Sequence, residues 1–195
     1  MGREFELKFA ATEAVQAAIL ERFGSFDSIS METTYFDTAD RALSARHITL
    51  RQRMENGVSV CTLKTPTGGL GRGEWELECD TIDRAIPELC KLSNHPLLPI
   101  LVAPGVSPIC GAKFLRLCKT LETADCTVEI ALDKGVLMGG GREIPLCEVE
   151  VELKSGSEEA AVAFAQTLAA EFQLQPEPKS KFKRASQLAE EKFNA

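Results

Sequence analysis

The chain has 195 residues, of which 44% are apolar and 26% charged, a composition typical of a folded globular protein rather than a disordered one. A chain of this length buries roughly 70% of its unfolded surface, so we expect one domain over residues 1–195 with a sizeable core. The net charge of −7 argues against a protein that binds nucleic acid or anionic membranes, because such a protein carries a basic surface. Apolar runs are all shorter than the roughly 20 residues of a membrane span, and residues 1–8 include two glutamates. We therefore predict a cytoplasmic protein.

The cysteines and histidines lack the spacing of a zinc site or a catalytic triad. The seven cysteines contain no CxxC pair, and only His47 and His95 are available as nitrogen ligands. We therefore predict reduced, buried thiols. Neither histidine is favoured as a catalytic base, because His47 precedes a predicted strand and His95 lies in a predicted loop.

Hydrophobic periodicity predicts an α+β chain. The first strand, 4–10, alternates strictly with Glu4, Glu6 and Lys8 on one face, and Thr12 can cap a helix that runs to residue 23. The other strand-like segments, in chain order, are 31–36, 48–54, 58–64, 74–80, 111–121, 127–133 and 147–154. Further helices are predicted over 81–92, from a capping box at 155–158 to residue 172, and over 180–193. Residues 65–73 and 94–108 are predicted as loops.

The polar faces of these strands are sorted by the sign of their charge. The strand near residue 50 presents Arg51 and Arg53, whereas the strands near residues 76 and 150 present three glutamates each. Like charges side by side repel on an exposed sheet, so the pattern favours polar faces that converge on a shared interior, with acids opposite bases. A closed antiparallel barrel, polar inside and covered by helices outside, has this geometry. The alternative is an α+β sandwich with one solvated face.

Nine segments carry a resemblance to a known family. The segment EFELK at 4–8 resembles the ExExK signature of the CYTH superfamily, the triphosphate tunnel metalloenzymes. The other segments resemble the family's motifs in the same order over about residues 3–190: YFDT at 35–38, LRQR at 50–53, TLK at 62–64, RGEWE at 72–76, FLR at 114–116, EIALDKG at 129–135, CEVEVEL at 147–153 and SKFKR at 180–184. The pattern is most similar to the bacterial inorganic triphosphatase branch.

The resemblance implies an eight-stranded antiparallel β-barrel, the triphosphate tunnel, with a polar, charged lumen and helices packed outside. It also implies metal-dependent hydrolysis of inorganic triphosphate to pyrophosphate and phosphate inside this tunnel. Mg²⁺ or Mn²⁺ would be the cofactor, because both are hard cations that prefer carboxylate oxygens. Ca²⁺ is expected to inhibit because it prefers a looser geometry, and an all-carboxylate site should work best at alkaline pH.

The resemblance also implies roles for individual residues. The metal ligands would be carboxylates on the strand faces, namely Glu4, Glu6, Glu148 and Glu150, with Glu129 and Asp133 as further candidates. The substrate would be bound by bases that hold phosphate oxygens, namely Lys8, Arg51, Arg53, Lys64, Arg72, Arg116, Lys181 and Arg184. Catalysis would be carried by Glu4, Glu6, Lys8, Arg51, Arg53 and Lys181, the last on a helix that plugs one end of the tunnel. Glu74, Glu76 and Glu152 are either ligands or partners of the lumen arginines; we favour the partner role for Glu76 and place Glu152 at the rim.

Other functions remain open at this stage. They are adenylyl cyclase, thiamine or nucleoside triphosphatase of the same family, and a non-catalytic module that binds polyphosphate or nucleotides. The sequence shows no aromatic cluster suited to stacking adenine, and its full set of acids is more than a pure anion binder requires. We expect a monomer or homodimer that has no nucleic-acid or membrane partner.

Overall fold

The computed structural model describes residues 2–66 and 72–190 and consists of one antiparallel sheet with helices around it. The strands are β1 (Gly2–Glu4), β2 (Glu6–Ala10), β3 (Asp27–Asp37), β4 (Thr49–Glu55), β5 (Val58–Pro66), β6 (Arg72–Glu78), β7 (Ser107–Glu122), β8 (Cys126–Gly139), β9 (Arg142–Gly156) and β10 (Gln175–Pro176). The helices are α1 (Glu13–Phe23), α2 (Ile82–Ser93), α3 (Leu98–Val102), α4 (Glu158–Phe172) and α5 (Lys181–Glu190), with a 3₁₀ turn at Ser44–Arg46. Within the described ranges, none of the helices combines the length and apolarity that crossing a membrane requires.

The chain closes the sheet through its first strand. The hydrogen-bonded order is β1-β6-β5-β4-β3-β7-β8-β9-β2-β10. β1 pairs with β6 and β2 pairs with β9, yet Phe5 alone separates β1 from β2 in the chain. If β1 and β2 are counted as one strand and the two-residue β10 is set aside, eight strands form a ring. The predicted barrel is therefore confirmed, although hydrogen bonds alone do not close it, because the ladder changes partner at Phe5.

Helices cover the outside of this ring because the outward faces of the strands are apolar. α1 and α4 pack over β2, β8 and β9, where Ile19 and Ala165 meet Ile130 and Val149. α2 and α3 cover β4, β5 and β6 through a second cluster that contains Leu63. Each fully buried aliphatic side chain contributes roughly 1.5–3 kcal/mol to folding. The apolar residues thus lie between the sheet and the helices, which leaves the polar faces of the strands directed inward.

α5 closes one end of the ring, as predicted for the last helix. Ala185 and Leu188 pack on Phe114 and Leu137 of the barrel wall. The helix passes so close to the β8–β9 turn that a Cβ atom at Gly139 would lie 2.3 Å from the carbonyl oxygen of Ala185. Glycine is therefore required where the helix crosses the end of the hairpin.

Several predicted boundaries differ from the structure. The capping box at 155–158 is wrong, because β9 continues to Gly156 and the hydroxyl of Ser157 instead accepts the Ala160 N–H at 3.2 Å. The predicted loop 94–108 contains α3, a helix too short to show a periodic pattern. α2 runs through Pro87, which is exposed and has no N–H group to donate to the carbonyl of Asp83. Residues 67–71 of the predicted loop and 191–193 of the last predicted helix lie outside the described residues.

All seven cysteines are free thiols. Cys61 and Cys126 are buried, and the other cysteines are partly buried. Burial raises the pKa of Cys61 to about 11 and, at a partly buried position, that of Cys110 to about 12. These shifts keep both thiols protonated near neutral pH.

Candidate active site in the barrel lumen

The inward faces of the strands surround a cavity of about 310 Å³. Its wall is dominated by charged side chains, and eleven of the residues singled out by the sequence line it: Glu4, Glu6, Lys8, Arg51, Arg53, Lys64, Arg72, Arg116, Glu129, Glu150 and Lys181. Asp133, Glu148 and Arg184 are not lining residues and lie behind the wall. Glu74, Glu76 and Glu152 also line the cavity.

Arginines and glutamates face each other across this cavity. Around the ring, β3, β7 and β8 separate β4 from β9 on one side, and β5, β6 and the first strand separate them on the other. β4 and β9 are therefore on opposite walls. The alternation of each strand then directs Arg51 and Arg53 of β4 toward Glu150 and Glu152 of β9.

The β4 arginines carry positive charge that the protein only partly compensates. Nη2 of Arg51 lies 3.4 Å from Glu76 and 3.6 Å from Glu74, while its buried Nε has no hydrogen-bond partner. Nε of Arg53 donates to the hydroxyl of Thr33 at 2.8 Å. Burial, with Arg51 close by, lowers the pKa of Arg53 to about 10. A bound anion would supply the charge and the acceptor that this pair lacks.

Three carboxylates gather where α5 meets the sheet, and one of them, Glu150, also lines the lumen. Single carboxylate oxygens of Asp133, Glu148 and Glu150 lie within 4.8 Å of one another. Nζ of Lys181 sits among them, 2.6 Å from Asp133 and 2.8 Å from Glu150, and it also contacts Glu148. Arg116 binds Asp133 through two hydrogen bonds of 2.7 Å and also pairs with Glu150. Arg184 pairs with Glu148. Together with Lys181, three bases thus surround three acids.

These three acids and three bases form an inner group. Burial and ion pairing shift the pKa values of its two glutamates in opposite directions. Burial raises the pKa of Glu148, and the neighbouring Glu150 adds to the rise despite Lys181. Burial also acts on Glu150, but Lys181 and Arg116 outweigh it and hold the pKa of Glu150 well below its ordinary value. Burial acts to lower the pKa of Lys181, but the three surrounding carboxylates outweigh it and raise that pKa. The inner group is therefore a set of fixed charges that anchors α5 to the barrel.

The first strand provides a second set of acids that reach the cavity. Glu4 pairs with Lys64, whose Nζ is also 3.1 Å from Glu74. Nζ of Lys8 donates to Glu6 at 2.9 Å. Burial raises the pKa of Glu4, but Lys64 outweighs it and the net shift is downward. Both glutamates thus present carboxylate oxygens at the cavity surface, each beside one lysine.

Glu129 and Glu152 lie on neighbouring strands at one side of the same cavity. Both bind the ammonium of Lys154, at 3.2 and 2.9 Å. In the sheet register Glu6 is opposite Glu152, and Glu152 is opposite Glu129, so three carboxylates form a row across the sheet. Burial raises the pKa of Glu152, since Lys154 only partly offsets it.

Several residues that line the cavity were not predicted from the sequence, among them Lys154, Tyr35 and Phe182. Lys154 shares the inward face of β9 with the predicted glutamates, so strand alternation alone identifies it. Tyr35 and Phe182 lie in quoted motifs, but only the structure shows that their rings meet in the cavity wall, with centroids 5.1 Å apart.

The family is established by comparison with known proteins. The model of the CYTH domain matches residues 2–186. The chain belongs to the CYTH family. An inorganic triphosphatase from Haemophilus influenzae is 28% identical over 202 residues, a match that covers 99% of this chain and 57% of that protein. The chain thus spans just over half the length of this curated relative.

Solved structures of the CYTH-like fold superpose on the barrel. A Hippeastrum protein, named as an adenylyl cyclase candidate with dominant triphosphatase activity, matches at a TM-score of 0.66 and 17% identity, covering 92% of this chain and 93% of that one. The protein PH1819 of Pyrococcus horikoshii matches at 0.63 and 20%, covering 92% and 96%. At such identities the two structures show a shared fold.

Proposed function

We propose that this CYTH protein hydrolyses inorganic triphosphate to pyrophosphate and phosphate with the help of Mg²⁺ or Mn²⁺. The observation that carries the proposal is the lumen itself, where Arg51 and Arg53 face a wall of glutamates across the cavity. The similarity to an inorganic triphosphatase supports this choice of reaction. An adenylyl cyclase would also need a surface that binds the adenine base. Among the described residues that line the cavity, Tyr35 and Phe182 are the aromatic ones, so this surface would have to come from them.

The substrate would lie along the basic residues of the lumen. The guanidinium groups of Arg51, Arg53 and Arg116 can bind phosphate oxygens in pairs, and Lys64 and Lys8 act as point charges. The unpartnered Nε of Arg51 supports this assignment, because a buried donor without an acceptor is stabilised by an anion. Arg72 lies toward one mouth, where its guanidinium donates to the carbonyl of His47 at 2.9 Å.

The metal would be held by the glutamates that reach the cavity. Glu4, Glu6, Glu150 and Glu152 offer the hard oxygen donors that Mg²⁺ and Mn²⁺ require, and Glu129 stands beside them. Asp133 and Glu148 fit this role less well, because they do not line the cavity and are ion-paired with Lys181 and Arg184. Lys181 lines the same cavity and would hold the acids of β9 in place beside the substrate.

The reaction would proceed by in-line attack of water on a terminal phosphoryl group. A divalent cation, when bound, neutralises charge on that group and on the leaving pyrophosphate. Arg51 and Arg53 orient the transferred phosphoryl group, and Lys64 and Arg116 hold oxygens of the leaving group. A cavity-lining glutamate accepts the proton of the attacking water. The closed barrel limits the number of water molecules that can compete for these positions.

The experiment that tests the metal site compares Glu6→Gln with Glu21→Gln, a matched change on the exposed face of α1. We expect Glu6→Gln to lower the rate of phosphate release about 100-fold or more and to weaken Mn²⁺ binding measured by calorimetry. Glu21→Gln should behave as the unmodified protein. EDTA should abolish release, and Ca²⁺ should inhibit it in the presence of Mg²⁺. Full activity in EDTA, or equal losses in both variants, would contradict the proposed metal site.

A further inference from the structure

A second cavity, the vestibule, opens beside the amino-terminal end of α5. Its volume is about 730 Å³, and its lining includes Lys8, Arg41, His47, Arg72, Lys179 and Lys183. The vestibule adjoins the lumen, since Lys8, Arg72 and Phe182 line both spaces. An elongated ligand that leaves the lumen on this side would therefore enter the vestibule.

The charge of the vestibule is opposite to that of the molecule. The chain carries a net charge of −7, yet Glu190 is the one acid among the described residues that line this space. The amino-terminal end of α5, which carries the positive end of the helix dipole, borders the same space. Such a concentration of like charge attracts polyanions and raises their local concentration.

Three of the vestibule bases lack the acidic partner that several other exposed lysines have. Lys91 pairs with Glu88, Lys113 with Glu32 and Lys134 with Glu13. Within residues 2–66 and 72–190, in contrast, Arg41, Lys179 and Lys183 form no ion pair with an acid. Lys179 only approaches the amide oxygen of Gln187, at 3.3 Å. Their charge is therefore available to a ligand.

The loop that brings Arg41 and His47 to the vestibule is fixed from beneath. The buried carboxylate of Asp37 accepts the backbone N–H groups of Thr38, Leu43 and Ser44 at 2.8, 3.0 and 3.1 Å. A loop held by three such bonds presents its bases with little conformational freedom left to lose upon binding.

We propose that the vestibule binds the additional phosphates of a linear inorganic polyphosphate whose terminal phosphates occupy the lumen. The proposal rests on triphosphate binding in the lumen and adds a preference for longer chains. A phosphate chain fits better than a nucleoside, because the charged side chains of the lining are nearly all basic and a chain of phosphates carries a charge on every unit.

The test measures binding by calorimetry in EDTA, where turnover does not consume the ligand. The probes are inorganic triphosphate, a medium-chain linear polyphosphate and ATP. The variant carries Lys179→Glu and Lys183→Glu, both on exposed side chains, and the control carries Lys91→Glu and Lys113→Glu, which impose the same charge change far from the vestibule. We expect the variant to bind polyphosphate about tenfold more weakly than the control, with triphosphate affinity changed less than about twofold.

The outcomes separate this proposal from the proposed function. If the unmodified protein fails to bind triphosphate, the lumen assignment is wrong. If triphosphate binds but polyphosphate binds no more tightly, or if the vestibule variant weakens both ligands equally, the vestibule proposal is overturned. Selective weakening of ATP would instead identify a nucleoside site and would also overturn it. A smaller dependence of polyphosphate affinity on salt concentration in the variant would support direct phosphate contacts.

Discussion

Arg51 is the lumen base whose side chain the described residues themselves supply with the fewest close hydrogen-bond and ion-pair partners. Its guanidinium is buried, two glutamates lie at long ion-pair distances, and its Nε has no partner. We expect Arg51→Gln to raise the KM for triphosphate about 30- to 100-fold, which corresponds to the loss of about 2–3 kcal/mol from a charge-assisted bidentate contact. Arg46→Gln, on the exposed 3₁₀ turn, is the control. An unchanged KM in a folded Arg51→Gln variant would remove Arg51 from the substrate site.

The pKa of Lys8 in the lumen indicates how triphosphate binding depends on pH. Burial lowers the pKa of Lys8, but Glu6 and Glu150 outweigh it, so the folded-state pKa is raised above 10.5. A base with a raised pKa keeps its charge, and the stability this charge contributes, until the pH passes the unfolded pKa and then the folded one. Arg53, whose pKa is lowered to about 10, also keeps its proton up to about pH 8.5, so triphosphate affinity in EDTA should be no weaker at that pH than at neutral pH. A tenfold weakening over that range would show that the lumen loses positive charge.

Individual site residues could be predicted to different extents. Strand alternation places Glu4, Glu6 and Lys8 on one face, and the structure directs that face into the cavity. The pairing of Asp133 and Glu148 with Lys181 could not be read from spacing, because it depends on where a helix more than 30 residues further along the chain packs. The role of Phe182 in the wall has the same origin.

At the scale of elements, α5 is attached to the barrel by charge as much as by apolar contact. Removal of the Lys181 ammonium would leave Asp133, Glu148 and Glu150 with two bases instead of three. We expect Lys181→Met to lower the free energy of unfolding by about 3–5 kcal/mol, the usual effect of breaking a buried ion pair. The measurement is denaturant unfolding. Lys91→Met, which breaks an exposed pair on α2, should lower it by less than about 1 kcal/mol. Equal effects would mean that Lys181 does not anchor the helix.

The elements that the sequence predicted well are those with a long, regular pattern. The first strand and β9 alternate strictly, and the structure contains both, although β9 begins five residues earlier than predicted, at Arg142. β7 and β8 are longer than predicted, since β8 continues through Lys134 and Gly135 as far as Gly139. Gly135 lies beyond the predicted end of this strand at 133. A Cβ atom there would lie 2.1 Å from the carbonyl oxygen of Lys113, so the glycine serves close packing between strands.

At the scale of the whole molecule, the distribution of polar and apolar residues follows from the closed ring. Helices bury the outer faces of the strands, so the inner faces can hold many charges at a density that an open, solvated sheet would not favour. The sign sorting of the strands was visible in the sequence. The closure through Phe5 was not, because it requires one short strand to pair with two partners that lie far apart in the chain.

One measurement tests the central claim most directly: the initial rate of phosphate release from inorganic triphosphate, ATP and thiamine triphosphate at equal concentrations, each with Mg²⁺, Mn²⁺ or EDTA. The opposed charges of a lumen of about 310 Å³ predict metal-dependent release that is fastest from inorganic triphosphate, because every part of that ligand is a phosphate that the charged wall can bind. Release that is faster from ATP or thiamine triphosphate, or that persists in EDTA, would contradict a metal-dependent inorganic triphosphatase.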